Sequence, residues 1–264
     1  MQNIIGQTRL LSIINSYTSH TLPKSLMFVG PSGCGKRTMA KYVAYKFALD
    51  FVEIDDTVLS TDLDNFMHRT LNTLYLIDLT KFSEKQQNQF LKFIEEPSKS
   101  VYIVLITNSE TTVLNTILNR CIKYTLEPYS KEQIELITNS TVSEEAFKIF
   151  KTPGKLLNLT ESSFRSVIAL AENIVHTINS KNYANTIAIA TKINYKDLYN
   201  KIDFNLFFDA VEYVALEDFK KNNTKQSFII FTITNNFRQY VAKQTFIKEM
   251  LMLNYLTTIW EATR

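Results

Sequence analysis

Apolar residues gather in short unbroken runs over the first half of this chain and in longer, spaced patterns over the second. Ser25-Leu26-Met27-Phe28-Val29, Leu74-Tyr75-Leu76-Ile77-Asp78 and Val101-Tyr102-Ile103-Val104-Leu105-Ile106 are continuous and rich in β-forming residues. Runs of this length predict strands buried on both faces. Phe51-Val52-Glu53-Ile54 predicts one more strand. Helical stretches alternate with them, from near Gly35 through Ala48, from Asp62 to Leu71, and from Ser83 to Pro97. Ser83 with Gln86, and Ser130 with Gln133, have the spacing of capping boxes, and Pro97 suits a helix end. Strands alternating with helices predict an α/β fold with a parallel sheet flanked by helices. Beyond about Phe164 glycine disappears. The segments Phe164–Ser180, Tyr183–Ile193, Phe204–Lys221 and Thr224–Thr263 carry Ile, Leu and Phe at helical spacing, with Asn-rich junctions between them. They predict an all-helical C-terminal domain, with Phe237, Tyr240, Val241 and Phe246 on one packing face. Leu251, Tyr255, Ile259 and Trp260 form another.

Chemistry enters directly after the first strand. Gly30-Pro31-Ser32-Gly33-Cys34-Gly35-Lys36-Arg37-Thr38 has the spacing of a phosphate-binding P-loop. Its glycines let backbone N–H groups converge, the following helix N-terminus favours an anion, and Lys36 reaches the terminal phosphates. A Ser or Thr ordinarily follows that lysine and binds Mg²⁺. Arg37 stands there and has no acceptor atom. Thr38 has a hydroxyl, but points about 100° further around the helix. Arg37 either blocks the metal or replaces its charge. The run ending in Asp78 is a Walker B pattern, and Asp78 is the candidate metal ligand. Where many such ATPases place a glutamate to orient water, this chain has Leu79; Glu84 falls in the next helix. Both changes strike hydrolysis and spare the loop, so nucleotide binding with weak or absent hydrolysis is expected.

These motifs resemble, in order, the clamp-loader branch of the AAA+ ATPases, with the delta-prime kind of bacterial DNA polymerase III subunit the nearest likeness. The likeness covers about two-thirds of the chain. Ile4-Ile5-Gly6-Gln7 is similar to the segment that lies against the adenine, so Ile5 is a candidate base contact. The Ser83 helix, ending Ile94-Glu95-Glu96-Pro97, resembles the clamp-loader helix that ends Leu-Glu-Glu-Pro. Asn108 matches the sensor-1 position, and Pro153-Gly154-Lys155 resembles the sensor-2 region, giving Lys155. Ile117-Leu118-Asn119-Arg120-Cys121 resembles the Ser-Arg-Cys signature, whose arginine is a finger acting on the neighbouring subunit; Arg120 matches it. The resemblance implies a AAA+ domain over 1–128, a small helical lid over 129–163 and a helical collar over 164–264 through which subunits form a ring. It implies ATP or ADP as cofactor, with Mg²⁺ at Asp78 and Thr38. The implied partners are other clamp-loader subunits, a sliding clamp and primer–template DNA, with Lys81, Ser83 and Lys85 facing the DNA backbone. Alternatives are an active motor subunit, a helicase loader or replication adaptor, and a structural collar protein with an empty pocket.

Composition trims this picture. Relatives carry a four-cysteine zinc module between P-loop and Walker B, whereas this chain has only Cys34 and Cys121, far apart. No zinc is expected. Two unpaired cysteines, no signal peptide and no long apolar span suggest a cytoplasmic protein, of a bacterium or an infected host cell, without a membrane. A net charge of +3 is only mildly basic, so DNA contact would rest on a few placed residues. His20, His68 and His176 show no ligand spacing and read as structural or surface residues.

Overall fold

The computed structural model describes residues 4–54, 63, 66, 70–157, 159–182, 184, 204–241 and 248–264. The chain forms two compact units, Met1–Val142 with Thr152–Leu157, and Ser143–Lys151 with Asn158–Arg264. The stretch 129–163 is therefore divided between them.

The first unit is built on five strands: β1 (Ser25–Val29), β2 (Asp50–Ile54), β3 (Thr73–Asp78), β4 (Val101–Thr107) and β5 (Ile122–Thr125). Their order is β2-β3-β4-β1-β5 and every neighbouring pair is parallel. β1, β3 and β4 are buried almost throughout, as continuous apolar runs require. β5 carries no such run; it is a short, largely exposed edge strand with Lys123 in its middle. Met27, Tyr75, Ile77, Ile103 and Leu105 pack in one core with Phe82, Phe90, Phe93 and Ile94. The Tyr75 ring meets Phe93 edge-on at 5.5 Å. After α1 (Thr8–Ser16), the helix α2 (Lys36–Lys46) buries Met39, Ala40, Val43 and Ala44 and contacts β3 and β4. Each large apolar side chain buried this way contributes about 1.5–3 kcal/mol.

The capping box at Ser83 forms, with Gln86 closing it. The helix it starts is not continuous. It runs Glu84–Gln89 and resumes at Leu91–Glu95, because the Phe90 N–H donates to Gln87 O, three residues back, at 3.1 Å. That tightened turn is 3₁₀-like, and the Phe90 ring lies edge-on to Phe82 at 4.9 Å. Buried Gln87 donates to Thr112 O at 3.1 Å and accepts from the Leu114 N–H at 3.2 Å. It ties this helix to the segment that carries Arg120.

The second unit is helical, with Glu144–Phe150, Glu161–Asn179, Phe204–Asn222, Lys225–Val241 and Lys248–Thr263. Phe207, Phe208, Phe237 and Tyr255 are buried together, and the Tyr255 hydroxyl shares a 2.6 Å hydrogen bond with Thr234. Leu251 and Ile259 are buried, as their spacing predicts, and Trp260 is half-buried. Within the stretch Thr224–Thr263, helix is described over Lys225–Val241 and Lys248–Thr263, and 242–247 lie outside the described residues. The side chains of Tyr240, Val241 and Phe246, His68, and most of Asp62–Leu71 and Tyr183–Ile193 lie outside the described residues. Among the described residues no helix is long and apolar enough to cross a membrane.

Candidate functional site

The loop after β1 is rooted between two strands: the Gly30 N–H donates to Thr107 O at the end of β4, and the Leu126 N–H donates to Val29 O. Gly35 caps α2 with φ 94°, a left-handed conformation that favours glycine. The first turn of α2 holds no acidic residue, so its N-terminal N–H groups and dipole are unopposed for an anion.

Lys36 is buried, 7% exposed. Its ammonium donates to Gly30 O at 2.6 Å, Pro31 O at 2.9 Å and Asn108 Oδ1 at 3.1 Å. Lys36 and Asn108, the residue expected at the sensor-1 position, are thus brought into contact across 72 residues. Burial pulls the Lys36 ammonium below its ordinary pKa, with Cys34 and Asp78 pulling the other way. Burial also pushes the Cys34 thiol up, Lys36 opposing it.

A clasp of one side-chain hydroxyl and one backbone N–H holds the loop from the other side. Thr152 Oγ1 donates to Ser32 O at 3.0 Å, and the Gly154 N–H donates to Gly33 O at 2.9 Å. The two glycines touch backbone to backbone: a Cβ on Gly154 would lie 2.7 Å from Gly33 Cα. The next residue is Lys155, whose charge is felt at Lys36.

Beside the loop is a cavity of about 610 Å³, lined among others by Ile5, Gly33, Thr38, Tyr129, Leu136 and Leu157. A mostly apolar cavity of this size with a few polar groups suits a small molecule. Tyr129 donates to Cys34 O at 3.0 Å. The Gln7 side chain pairs with both backbone groups of Glu127, each at 2.7 Å, and so fixes the Ile4–Gln7 segment at the cavity wall. Tyr129 and Thr152 were not among the sequence-derived candidates. Each stands immediately before a helix start, at Ser130 and Pro153, and that junction was their only local signal.

The hydrolytic positions look different. Asp78 ends β3, and its Oδ1 accepts from both the N–H and the hydroxyl of Thr80, at 3.2 and 2.7 Å. Leu79 is buried in the core. Glu84 is exposed at the first position of its helix. Arg37 forms an ion pair with Glu53 on β2 at 3.2 Å. Among the described residues no group of three or more His, Cys, Asp or Glu side chains is placed to hold a metal.

Arg120 does not line the cavity. It follows the short helix Asn115–Leu118, donates to Thr116 O at 2.8 Å and pairs with Glu95 at 3.0 Å. Lys81, Ser83 and Lys85 are exposed at the turn and helix start after β3. The sheet therefore gathers Lys36, Asp78 and Asn108 at the carboxyl ends of its strands, where ligands of open α/β sheets bind. Lys36, Asp78 and Asn108 do not themselves line the cavity beside the loop, and neither do Arg120 and the three prospective DNA contacts.

Residues 65–130, the stretch that holds Asp78, Ser83, Asn108 and Arg120, match the family model described as DNA polymerase III, delta subunit. The chain is 25% identical over 237 residues to a DNA polymerase III subunit gamma of Buchnera aphidicola from Schizaphis graminum, covering 72% of this chain and 64% of that protein. It is 23% identical to a gamma/tau subunit of Mycoplasma genitalium, covering 89% of this chain and 47% of the relative. It thus spans about half to two-thirds of the length of these curated relatives. In structure it is similar to a gamma-subunit-related protein of Thermotoga maritima, with a TM-score of 0.51 at 14% identity over 97% of this chain and 99% of that one. The RuvB Holliday junction branch migration motor of the same organism gives 0.53 at 15% identity over 81% and 88%. A delta-type domain model over residues 65–130, gamma-type relatives at 23–25% identity and a five-stranded parallel sheet followed by a P-loop sequence make this chain similar to the AAA+ clamp loaders.

Proposed function

We propose that this chain is a delta-prime-like subunit of a DNA-replication sliding-clamp loader. It binds ATP or ADP at residues 30–38, hydrolyses it weakly or not at all, and offers Arg120 to the nucleotide site of a neighbouring subunit. Its partners in this reading are other clamp-loader subunits, a sliding clamp and primer–template DNA, the last met by Lys81, Ser83 and Lys85 through backbone phosphates.

The observation that carries the reading is the mismatch between the two halves of the site. Lys36 is buried against Asn108, beside the Lys155 turn. The residue after Lys36 turns to Glu53, and the residue after Asp78 is a core leucine. A loop that keeps its phosphate lysine and lacks its hydrolytic companions fits a subunit that binds nucleotide and completes a neighbour's site. Arg120 lies outside its own cavity, as a residue acting in trans must, and its planar guanidinium suits a γ-phosphate. The gamma-named relatives favour a second reading, an active motor subunit in which Thr38 or a rearranged loop holds Mg²⁺.

Two variants separate these readings. Lys36→Ala is expected to abolish the heat of nucleotide binding. Arg120→Ala is expected to leave folding and the chain's own nucleotide affinity unchanged. It is expected to lower turnover at the neighbour's site of an assembled complex by about three to five decades, the usual worth of an arginine finger. Equal turnover of wild-type and Arg120→Ala assemblies would refute the finger.

A further inference from the structure

The phosphate loop lies next to a strand-end acid, yet of the two oxygen donors that would hold a divalent cation between them one is replaced and the other is half engaged. Mg²⁺ takes near-octahedral oxygen ligands, and in P-loop proteins the protein supplies them from the hydroxyl after the lysine and from the Walker B acid. Here the first position is Arg37, a side chain with donors only, and its guanidinium reaches away to Glu53 Oε2 at 3.2 Å. The next hydroxyl-bearing residue, Thr38, lines the cavity with Ile5 and Tyr129. On Asp78, Oδ1 already receives two hydrogen bonds from Thr80. One carboxylate oxygen remains. Positive charge is supplied instead by Lys36, by the N-terminus of α2, whose first turn is free of acid, and by Lys155, whose backbone nitrogen lies beside Gly33 of the loop. The residues present do not fit the metal.

We infer that this chain holds its nucleotide without a metal ion, because Arg37 has displaced the hydroxyl ligand and the phosphate charge is met by Lys36, Lys155 and the loop N–H groups. The inference rests on the nucleotide-binding reading above and adds to it a departure in cofactor use. It also separates this site from a neighbour's, whose triphosphate Arg120 would address.

Calorimetric titration of the full chain with ATP, in excess Mg²⁺ and again in EDTA, tests it beside the variant Arg37→Thr. Two ligands that share a site typically change each other's affinity by about 5- to 150-fold, reciprocally. The wild-type affinities with and without Mg²⁺ are expected to agree within about threefold, and Arg37→Thr to bind at least about tenfold tighter when Mg²⁺ is present. Wild-type affinity that falls tenfold or more in EDTA overturns the inference and leaves the nucleotide-binding reading standing. A variant as indifferent to Mg²⁺ as the wild type overturns the role given to Arg37. An absence of binding under both conditions overturns the inference and the nucleotide-binding reading together.

Discussion

Gly154→Ala probes how the phosphate loop is held in shape. An added Cβ would lie 2.7 Å from Gly33 Cα, 2.9 Å from Gly33 O and 3.2 Å from Gly33 C. All three are backbone atoms of the loop, so no change of rotamer relieves the clash. Either the Thr152–Lys155 turn lifts or the loop moves. Both routes break the 2.9 Å bond from the Gly154 N–H to Gly33 O and loosen the bond from Thr152 to Ser32 O. The steric part costs about 1–3 kcal/mol, as overpacked cores do, and the lost hydrogen bond about 1 kcal/mol more. A loss of this size lowers the thermal midpoint of a unit of this length by roughly 5–15 °C. Urea and thermal unfolding read the loss, and a nucleotide titration reads whether the loop keeps its geometry. Lys155→Ala is the control: it touches the same turn, adds no atom, and is expected to stay within about 1 kcal/mol of wild type. Gly154→Ala unfolding at the wild-type midpoint, with wild-type nucleotide affinity, would show that the clasp does not hold the loop.

Two further predictions concern stability. Ser83→Ala removes the acceptor of the Gln86 N–H and opens the capping box. It is expected to cost about 0.5–2 kcal/mol in urea unfolding, and an unchanged midpoint would contradict the cap. In the second unit the Asp218 carboxylate is under opposing influences. Burial pushes it up, while hydrogen bonds from Ser227, Thr224, Asn222 and Asn179 outweigh that and hold it below its ordinary value. Its folded value is therefore depressed. Its stabilisation is full above the unfolded-chain value of about 3.9 and is lost as the pH falls through the folded value. Asp218→Asn is expected to lower stability at neutral pH and to flatten the acid limb of the stability–pH curve. Parallel acid limbs for wild type and variant would contradict this.

Much of the fold is written locally. β1, β3 and β4 announce themselves because a strand covered on both faces needs an unbroken apolar run. β5 lacks that run, since an edge strand with Lys123 at its centre is half solvated. The interruption at Phe90 is invisible for another reason: Ser83 to Pro97 has good helical spacing, and a single shift in hydrogen-bond partner makes the break. The site divides the same way. Glycine spacing and Lys36 reveal the loop because the chemistry needs those residues in sequence. Its clasp joins Ser32 and Gly33 to Thr152 and Gly154, about 120 residues on, through the Thr152 hydroxyl and one backbone N–H, a pairing that the distance along the chain hides. Arg37 is visible in the sequence where a hydroxyl is expected, but only the folded chain reveals that its charge goes to Glu53. Tyr129 has no motif of its own; its role comes from the position of the Ser130 helix start beside the loop.

The membership of the assembly tests the central proposal most directly. The full chain, tagged and recovered from its native cell with its bound proteins identified by mass spectrometry, is expected to bring down other AAA+ subunits together with a sliding clamp. Recovery of a replicative helicase without a clamp would contradict the clamp-loader function while leaving the fold as described.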